Sequence, residues 1–261
     1  MVIIISGATS GIGLYLAERY AKEGHKVCGL GRNKQRCENL KRILSLYSDS
    51  FLVVSCDVRD KLSVESAVSE CKSKLGLIDC IVANAGVSIA SSGNNFNIRV
   101  FEKVFQTNVF GVLNLIHAVL PDMIDNRQGH VVGIGSLAAY RGLPGAGAYC
   151  SSKAAMFTFL ESLRLDVSEF NIDVSVINPG YIKTPLTDKN RFKMPFLMSM
   201  ETGGSIIYDA IKKRKAVYSF PFPLSFLVKL ARVSPVFLYD LFVRRFKNDK
   251  DTSKDFKELN S

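Results

Sequence analysis

Val2-Ile3-Ile4-Ile5-Ser6-Gly7-Ala8-Thr9-Ser10-Gly11-Ile12-Gly13 decides how this chain folds. Its first four residues are apolar and β-branched, and read as a buried strand. The strand runs straight into a glycine-rich turn of spacing G-x-x-x-G-x-G. Leu14, Leu16, Ala17, Tyr20 and Ala21 then recur at helical spacing, up to Gly24. Strand, glycine turn and helix together open a dinucleotide-binding unit. Glycines let the backbone approach a pyrophosphate, and the helix N-terminus offers unpaired N–H groups with a partial positive charge. A glycine turn alone says little; its place between strand and helix gives it weight.

The next apolar run, 26–30, ends on Gly31-Arg32-Asn33-Lys34. An acid at this point holds the ribose hydroxyls of NAD. Here there is none, and Arg32 can form a forked pair with a 2′-phosphate. NADP(H) is therefore expected over NAD(H), although ordinary solvated turn charges would leave the same letters. Much further on, Tyr149-Cys150-Ser151-Ser152-Lys153 sets a phenol and an ammonium four residues apart, on one face if helical. A free tyrosine ionises near pH 10. A fixed cation favours tyrosinate and pulls that value toward the working range. The pair suits proton exchange with an alcohol or carbonyl oxygen, and the matching hydride needs a nicotinamide. Many surface helices carry the same pair by chance.

In combination these residues resemble the short-chain dehydrogenase/reductases of the compact single-domain type, over about residues 2–184. Gly7, Ser10, Gly11, Ile12 and Gly13 look like that family's coenzyme turn. Asp57-Val58, closing the run 51–56, is similar to its adenine-contacting pair. Asn84-Ala85-Gly86 follows the strand 78–83 and looks like the element that steadies the sheet beside the cofactor. Asn108, in a helical stretch 98–126, stands where the family keeps an asparagine that holds a water in a proton relay. Ser136 ends the strand 131–135, thirteen residues before Tyr149, the family's usual spacing. Pro179-Gly180 closes the strand 174–178, and Ile182 and Thr184 follow, Thr184 matching a residue that binds the nicotinamide carboxamide. The resemblance implies that Tyr149 exchanges the proton and that Lys153 lowers its pKa and binds the nicotinamide ribose. Ser136 would hydrogen-bond the same substrate oxygen, and Asn108 would link Lys153 to solvent through water.

Composition sets limits. A chain of 261 residues fits one α/β domain, 1–247, whose alternating apolar strands and helical patterns argue for a doubly wound parallel sheet with helices on both faces. Six cysteines show no C-x-x-C pairing, which suits reduced thiols and a cytoplasmic setting. Cys150 reads as a redox-sensitive thiol or, more simply, as a packed helix residue. The three histidines are scattered and near no cluster of cysteines or acids, so no metal is assigned. A strand that starts at residue 2 leaves no room for a leader.

The last third departs from the commonest family pattern. A final strand 216–220 is followed by Pro221-Phe222-Pro223, an apolar helix 224–233 and, after Ser234-Pro235, a second helix with Phe237, Leu238, Leu241, Phe242 and Phe246 on one stripe opposite Asp240, Arg244 and Arg245. Residues 212–247 hold nine cations and one acid, most of the net charge of +10. Two readings stay open for these helices at 222–247: they cover the substrate cleft or a subunit interface, or they make peripheral contact with anionic lipid. The polar tail 248–261 is expected to be disordered. A lid at 185–200, rich in Met, Phe and Leu, points to a hydrophobic carbonyl or alcohol: lipid-like, 3-oxoacyl, steroid-like or aromatic. The same fold could instead serve as an NADP(H)-binding sensor or a membrane-surface interaction protein, but Ser136, Tyr149 and Lys153 together favour turnover. The basic residues sit beside apolar helices rather than on a stacking platform, so nucleic acid is not an expected partner. Resemblance implies a homodimer or homotetramer paired through helices at about 98–126 and 149–170.

Overall fold

The computed structural model describes residues 1–94, 96–190 and 192–247. The tail 248–261 lies outside the described residues. Strands β1 (Val2–Ser6), β2 (Lys26–Gly31), β3 (Phe51–Ser55), β4 (Cys80–Ala83), β5 (Gly129–Ile134), β6 (Ile172–Pro179) and β7 (Val217–Phe220) form one parallel sheet in the order β3-β2-β1-β4-β5-β6-β7. Helices α1 (Gly11–Lys22), α2 (Lys34–Leu44) and α7 (Met200–Lys212) cover one face. On the other lie α3 (Lys61–Leu75), α4 (Ile98–Phe105), α5 (Gly111–Asp125) and α6 (Gly147–Asp166). Two further helices, α8 (Phe222–Val233) and α9 (Val236–Lys247), end the described chain.

Strands covered on both faces must be apolar throughout, and β1, β4 and β5 are buried at every residue. Ile3 and Ile5 pack under Leu16, Tyr20 and Leu40, while Ile4 faces Val64, Val68 and Leu115 on the other side. Fully burying each such side chain contributes about 1.5–3 kcal/mol. The helices start where side chains can satisfy their first N–H groups: Asn33, Asp60 and Asn97 cap α2, α3 and α4. Strand order reverses beside β1, with β2 and β3 on one side and β4 to β7 on the other. A crevice therefore opens at the carboxyl ends of β1 and β4, where α/β sheets of this kind hold ligands.

Several boundaries differ from the expected ones. The strand expected at 78–83 is shorter, starting at Cys80, because Asp79 is used as a clamp: its carboxylate accepts from the Val2 N–H at 2.7 Å. The stretch 98–126 is interrupted by a π turn, Gln106–Phe110. By length and composition Ile98–Asp125 could cross a membrane, but Val100, Val104, Val112, Leu115, Ile116, Val119 and Met123 are buried within the protein. α8 begins at Phe222 rather than 224, since Pro223 fits in a first turn, where its missing N–H costs nothing. None of the six cysteines is disulfide-bonded, and all are buried. On α9, Phe237, Leu238 and Leu241 of the expected stripe are exposed. The side chains of Phe242, Arg244, Arg245 and Phe246 lie outside the description.

Candidate active site

The turn after β1 is built around close approach. Gly7 has φ +66°, in the left-handed region that favours glycine. A Cβ on Gly13 would sit 2.3 Å from the Gly7 carbonyl oxygen and 2.5 Å from Asn84 Nδ2, so α1 is pressed onto the turn as only glycine allows. Asn84 locks the end of β4 to the end of β1: its amide donates to the Ser6 and Gly7 carbonyls at 3.0 and 3.3 Å. Ser6 Oγ in return accepts from the Asn84 and Ala85 N–H groups. Unlike α2, α3 and α4, α1 begins with no side-chain cap, at Ser10, and like them it has no acid in its first turn. Its N-terminal N–H groups meet the crevice uncapped, which suits an anion.

α6 brings Tyr149 and Lys153 to one face, as the i, i+4 spacing requires. Ser136 lies just past β5, where it caps a short 3-10 turn, Leu137–Ala139; its Oγ accepts from the Ala138 N–H at 3.1 Å. Its own N–H donates to Asn178 Oδ1 at 3.1 Å. Burial pushes the Tyr149 phenol up to about 12, with the Ser136 hydroxyl pulling the other way. Lys153 is buried, and that burial lowers its ammonium to about 8. Its Nζ donates to the Ile134 carbonyl at 2.7 Å and stands 6.0 Å from the Tyr149 ring centre. The expected lowering of Tyr149 by Lys153 is thus not what this arrangement gives: desolvation of both groups wins. Tyr149 stays a neutral phenol at pH 7, in the form that can donate a proton.

Asn108 sits in the π turn and is fully buried. Its Oδ1 accepts from the Val87 N–H at 2.8 Å, and its Nδ2 donates to the Val87 carbonyl and to Ser152 Oγ at 2.9 and 3.0 Å. The amide therefore ties the loop after β4 to α6. A Cβ on Gly86 would lie 3.4 Å from Asn108 Oδ1 and 3.7 Å from Lys153 Nζ, so these three residues meet at one point.

One cleft is lined by Gly7, Ser10, Gly11, Ile12, Asn84, Ala85, Gly86, Ser136, Tyr149, Lys153, Pro179, Gly180, Ile182 and Thr184. Gly13 and Asn108 support it from behind. Arg32, Asp57 and Val58 lie away from the cleft itself. Val58 packs on α5, where a Cβ on Gly111 would meet its Cγ2 at 2.7 Å. The Arg59 guanidinium pairs with Asp57 at 2.6 Å and holds its carboxyl below the usual carboxylate range, with the Arg32 charge adding to the effect. Pro185, Leu186 and Thr187, which the sequence placed only in the lid at 185–200, also line the cleft, as do Ile134 and Gly135, which sequence reading missed. Thr187 shapes the turn: its Oγ1 donates to the Ile182 carbonyl at 2.7 Å and accepts from the Thr184 N–H at 2.9 Å. Two threonines three residues apart around a proline were the available signal. Asn178 was missed too; buried behind Gly135, it orients Ser136, and its Nδ2 has no partner among the described residues.

A sequence model of the short chain dehydrogenases matches residues 1–194. The chain is 34% identical to an uncharacterized oxidoreductase of Myxococcus xanthus, over 94% of this chain and 96% of the relative. It is 31% identical to dehydrogenase/reductase SDR family member 7B of Mus musculus, over 95% of this chain and 82% of the relative. Among solved structures, a short-chain dehydrogenase from Streptomyces avermitilis superposes with a TM-score of 0.78 at 23% identity, covering 95% of this chain and 98% of that one. A 3-ketoacyl-(acyl-carrier-protein) reductase from Brucella melitensis, complexed with NADH, also gives 0.78, at 24% identity and covering 86% and 98%.

Proposed function

The chain belongs to the short-chain dehydrogenase/reductase family, and from that membership we propose an NADP(H)-dependent oxidoreductase that interconverts a carbonyl and a secondary alcohol on a hydrophobic substrate. The observation that carries the reading is the placement of Tyr149, Ser136 and Lys153 on the wall of one cleft. The residues present fit a nicotinamide dinucleotide. The uncapped start of α1 suits its pyrophosphate, and the space that a Cβ on Gly86 would fill, beside Lys153, suits a ribose.

The nicotinamide supplies or accepts the hydride. Tyr149 gives its proton to the carbonyl oxygen during reduction and takes it back in oxidation. Ser136 holds that oxygen and stabilises its developing charge. Lys153 anchors the ribose hydroxyls and keeps positive charge near the phenolate that forms. Arg32, at the end of β2 with no acid on its strand end, supports the 2′-phosphate form of the cofactor. Ile182, Pro185 and Leu186 give the cleft an apolar wall, and Phe192 packs edge-on against Tyr181, which favours lipid-like, 3-oxoacyl, steroid-like or aromatic substrates. Pairing of subunits through α5 and α6 belongs to the same proposal, with Phe110 and Leu165 exposed for it.

The test is oxidation of NADPH and NADH in parallel across a panel of carbonyls, from long-chain 3-oxoacyl thioesters and steroid ketones to small sugars. Tyr149→Phe should lower turnover by about 10²–10⁴-fold while cofactor affinity changes little. Substantial activity in that variant, or activity confined to small polar sugars, would refute the reading.

A further inference from the structure

α8 is apolar on two faces. Its inner side turns Leu224, Ser225 and Val228 toward the protein, and a Cβ on Gly180 would meet Pro221 and Leu224 at 3.0 and 3.1 Å. That face closes the fold. At 3.6 residues per turn, Phe222, Phe226, Leu230 and Val233 share the outer side. The Phe222 and Phe226 rings stack at 6.0 Å, and Phe222 and Val233 remain 76% and 79% exposed. Past the Ser234-Pro235 break, Val236, Phe237, Leu238 and Leu241 continue the exposed surface, with Phe237 at 69%. α9 is not loose: the Tyr239 hydroxyl donates to the Gly142 carbonyl, and the Arg141 guanidinium lies 4.4 Å over the Tyr239 ring. A contiguous apolar surface left facing water marks a partner.

The charges say which. Arg141 reaches the end of α8, donating to the Arg232 carbonyl at 3.2 Å, and Lys229 and Arg232 are exposed on the same helix. Asp240 is the one acid between residues 222 and 241. The other basic run does not belong to this face: Lys212 pairs with Glu23 at 3.5 Å and Arg214 with Asp173. Apolar side chains on an outer face, edged by long cations, match the chemistry of an anionic bilayer surface, where the chains enter the acyl boundary and the cations meet headgroups. We propose that the outer face of α8 and α9, with Arg141, Lys229 and Arg232 at its edge, docks the protein peripherally on an anionic phospholipid bilayer. This goes beyond the catalytic reading and does not depend on it. Because α8 starts against Gly180, docking sets the cleft beside the lipid.

The experiment is co-sedimentation of the full chain with vesicles of phosphatidylcholine, with and without one part in three phosphatidylserine, at low and high salt. Binding is expected on the anionic vesicles at low salt, with loss at high salt. Lys229→Glu with Arg232→Glu should weaken it by about tenfold or more. Phe226→Glu with Leu230→Glu should abolish it while cofactor titration stays unchanged, since both side chains are exposed. No binding at low salt, or equal binding by the charge-reversed variant, overturns the proposal. So does a dimer that Phe226→Glu with Leu230→Glu splits in the absence of lipid binding, which would assign the face to a second copy.

Discussion

Lys153 stands 6.0 Å from the centre of the Tyr149 ring and directs its ammonium at the Ile134 carbonyl instead. Its charge is thus held beside the phenol without a direct bond to it. Burial lowers Lys153 to about 8, so the cation is present at neutral pH and disappears as pH rises through that value. Carbonyl reduction that depends on this charge should keep its kcat/KM up to about pH 8 and lose it above. Lys153→Met should turn over about a hundredfold more slowly or worse, and without that alkaline limb. A variant that is slower but keeps the limb would place the titrating group elsewhere.

Gly13 makes a second, independent demand. An alanine there drives its Cβ into the Gly7 carbonyl and the Asn84 amide, neither of which is a flexible chain end. Gly13→Ala should cost about 1–3 kcal/mol, the usual range for overpacking. It should also weaken cofactor binding, because the displaced turn is the one proposed to meet the pyrophosphate. Thermal melting and a fluorescence titration with NADPH measure the two effects. An unchanged melting point together with unchanged affinity would mean that α1 can move away freely.

The sheet and most of the cleft were legible because each is written locally. A buried parallel strand has to be an apolar run, as 2–5 and 131–134 are, and a turn pressed against a helix has to be glycine, as at Gly7 and Gly13. What stayed hidden depends on tertiary surroundings. The π turn at Gln106–Phe110 leaves the hydropathy of the helix unchanged, yet it helps place Asn108 among Val87 and Ser152. The i, i+4 spacing brought Tyr149 and Lys153 to one face, but it could not show that burial would push the two pKa values toward neutrality of both groups. Asn178 reads as the end of a strand; only the fold puts its amide behind Ser136.

The proposed preference for NADP(H) rests on Arg32. Its charge is felt by Asp57, which already pairs with Arg59, so this carboxylate is not free to oppose a 2′-phosphate beside Arg32. Arg32→Glu should reduce kcat/KM for NADPH by about 10–100-fold, the worth of a charge-assisted hydrogen bond or two. NADH should fall far less. Parallel assays with both cofactors decide it: an equal fall for the two, or a wild-type preference for NADH, removes Arg32 as the discriminator.

His130 makes the fold itself sensitive to acid. It is buried in β5 with its Nε2 2.8 Å from Ser175 Oγ. Burial, helped by the nearby Arg214 charge and opposed by Asp173, lowers it to about 4. An unfolded histidine titrates near 6.5. As pH falls below 6.5 the unfolded chain therefore takes up a proton that the folded chain refuses, and stability drops until about pH 4. Between pH 7 and 5 this one residue should remove about 2 kcal/mol. Other groups titrate over the same interval, so the comparison must be between proteins: urea unfolding of wild type and His130→Gln at both pH values. The variant should lose about 2 kcal/mol less than the wild type on acidification. If both lose the same amount, the imidazole is protonated inside the sheet, and its bond to Ser175 is one that the charged form can keep.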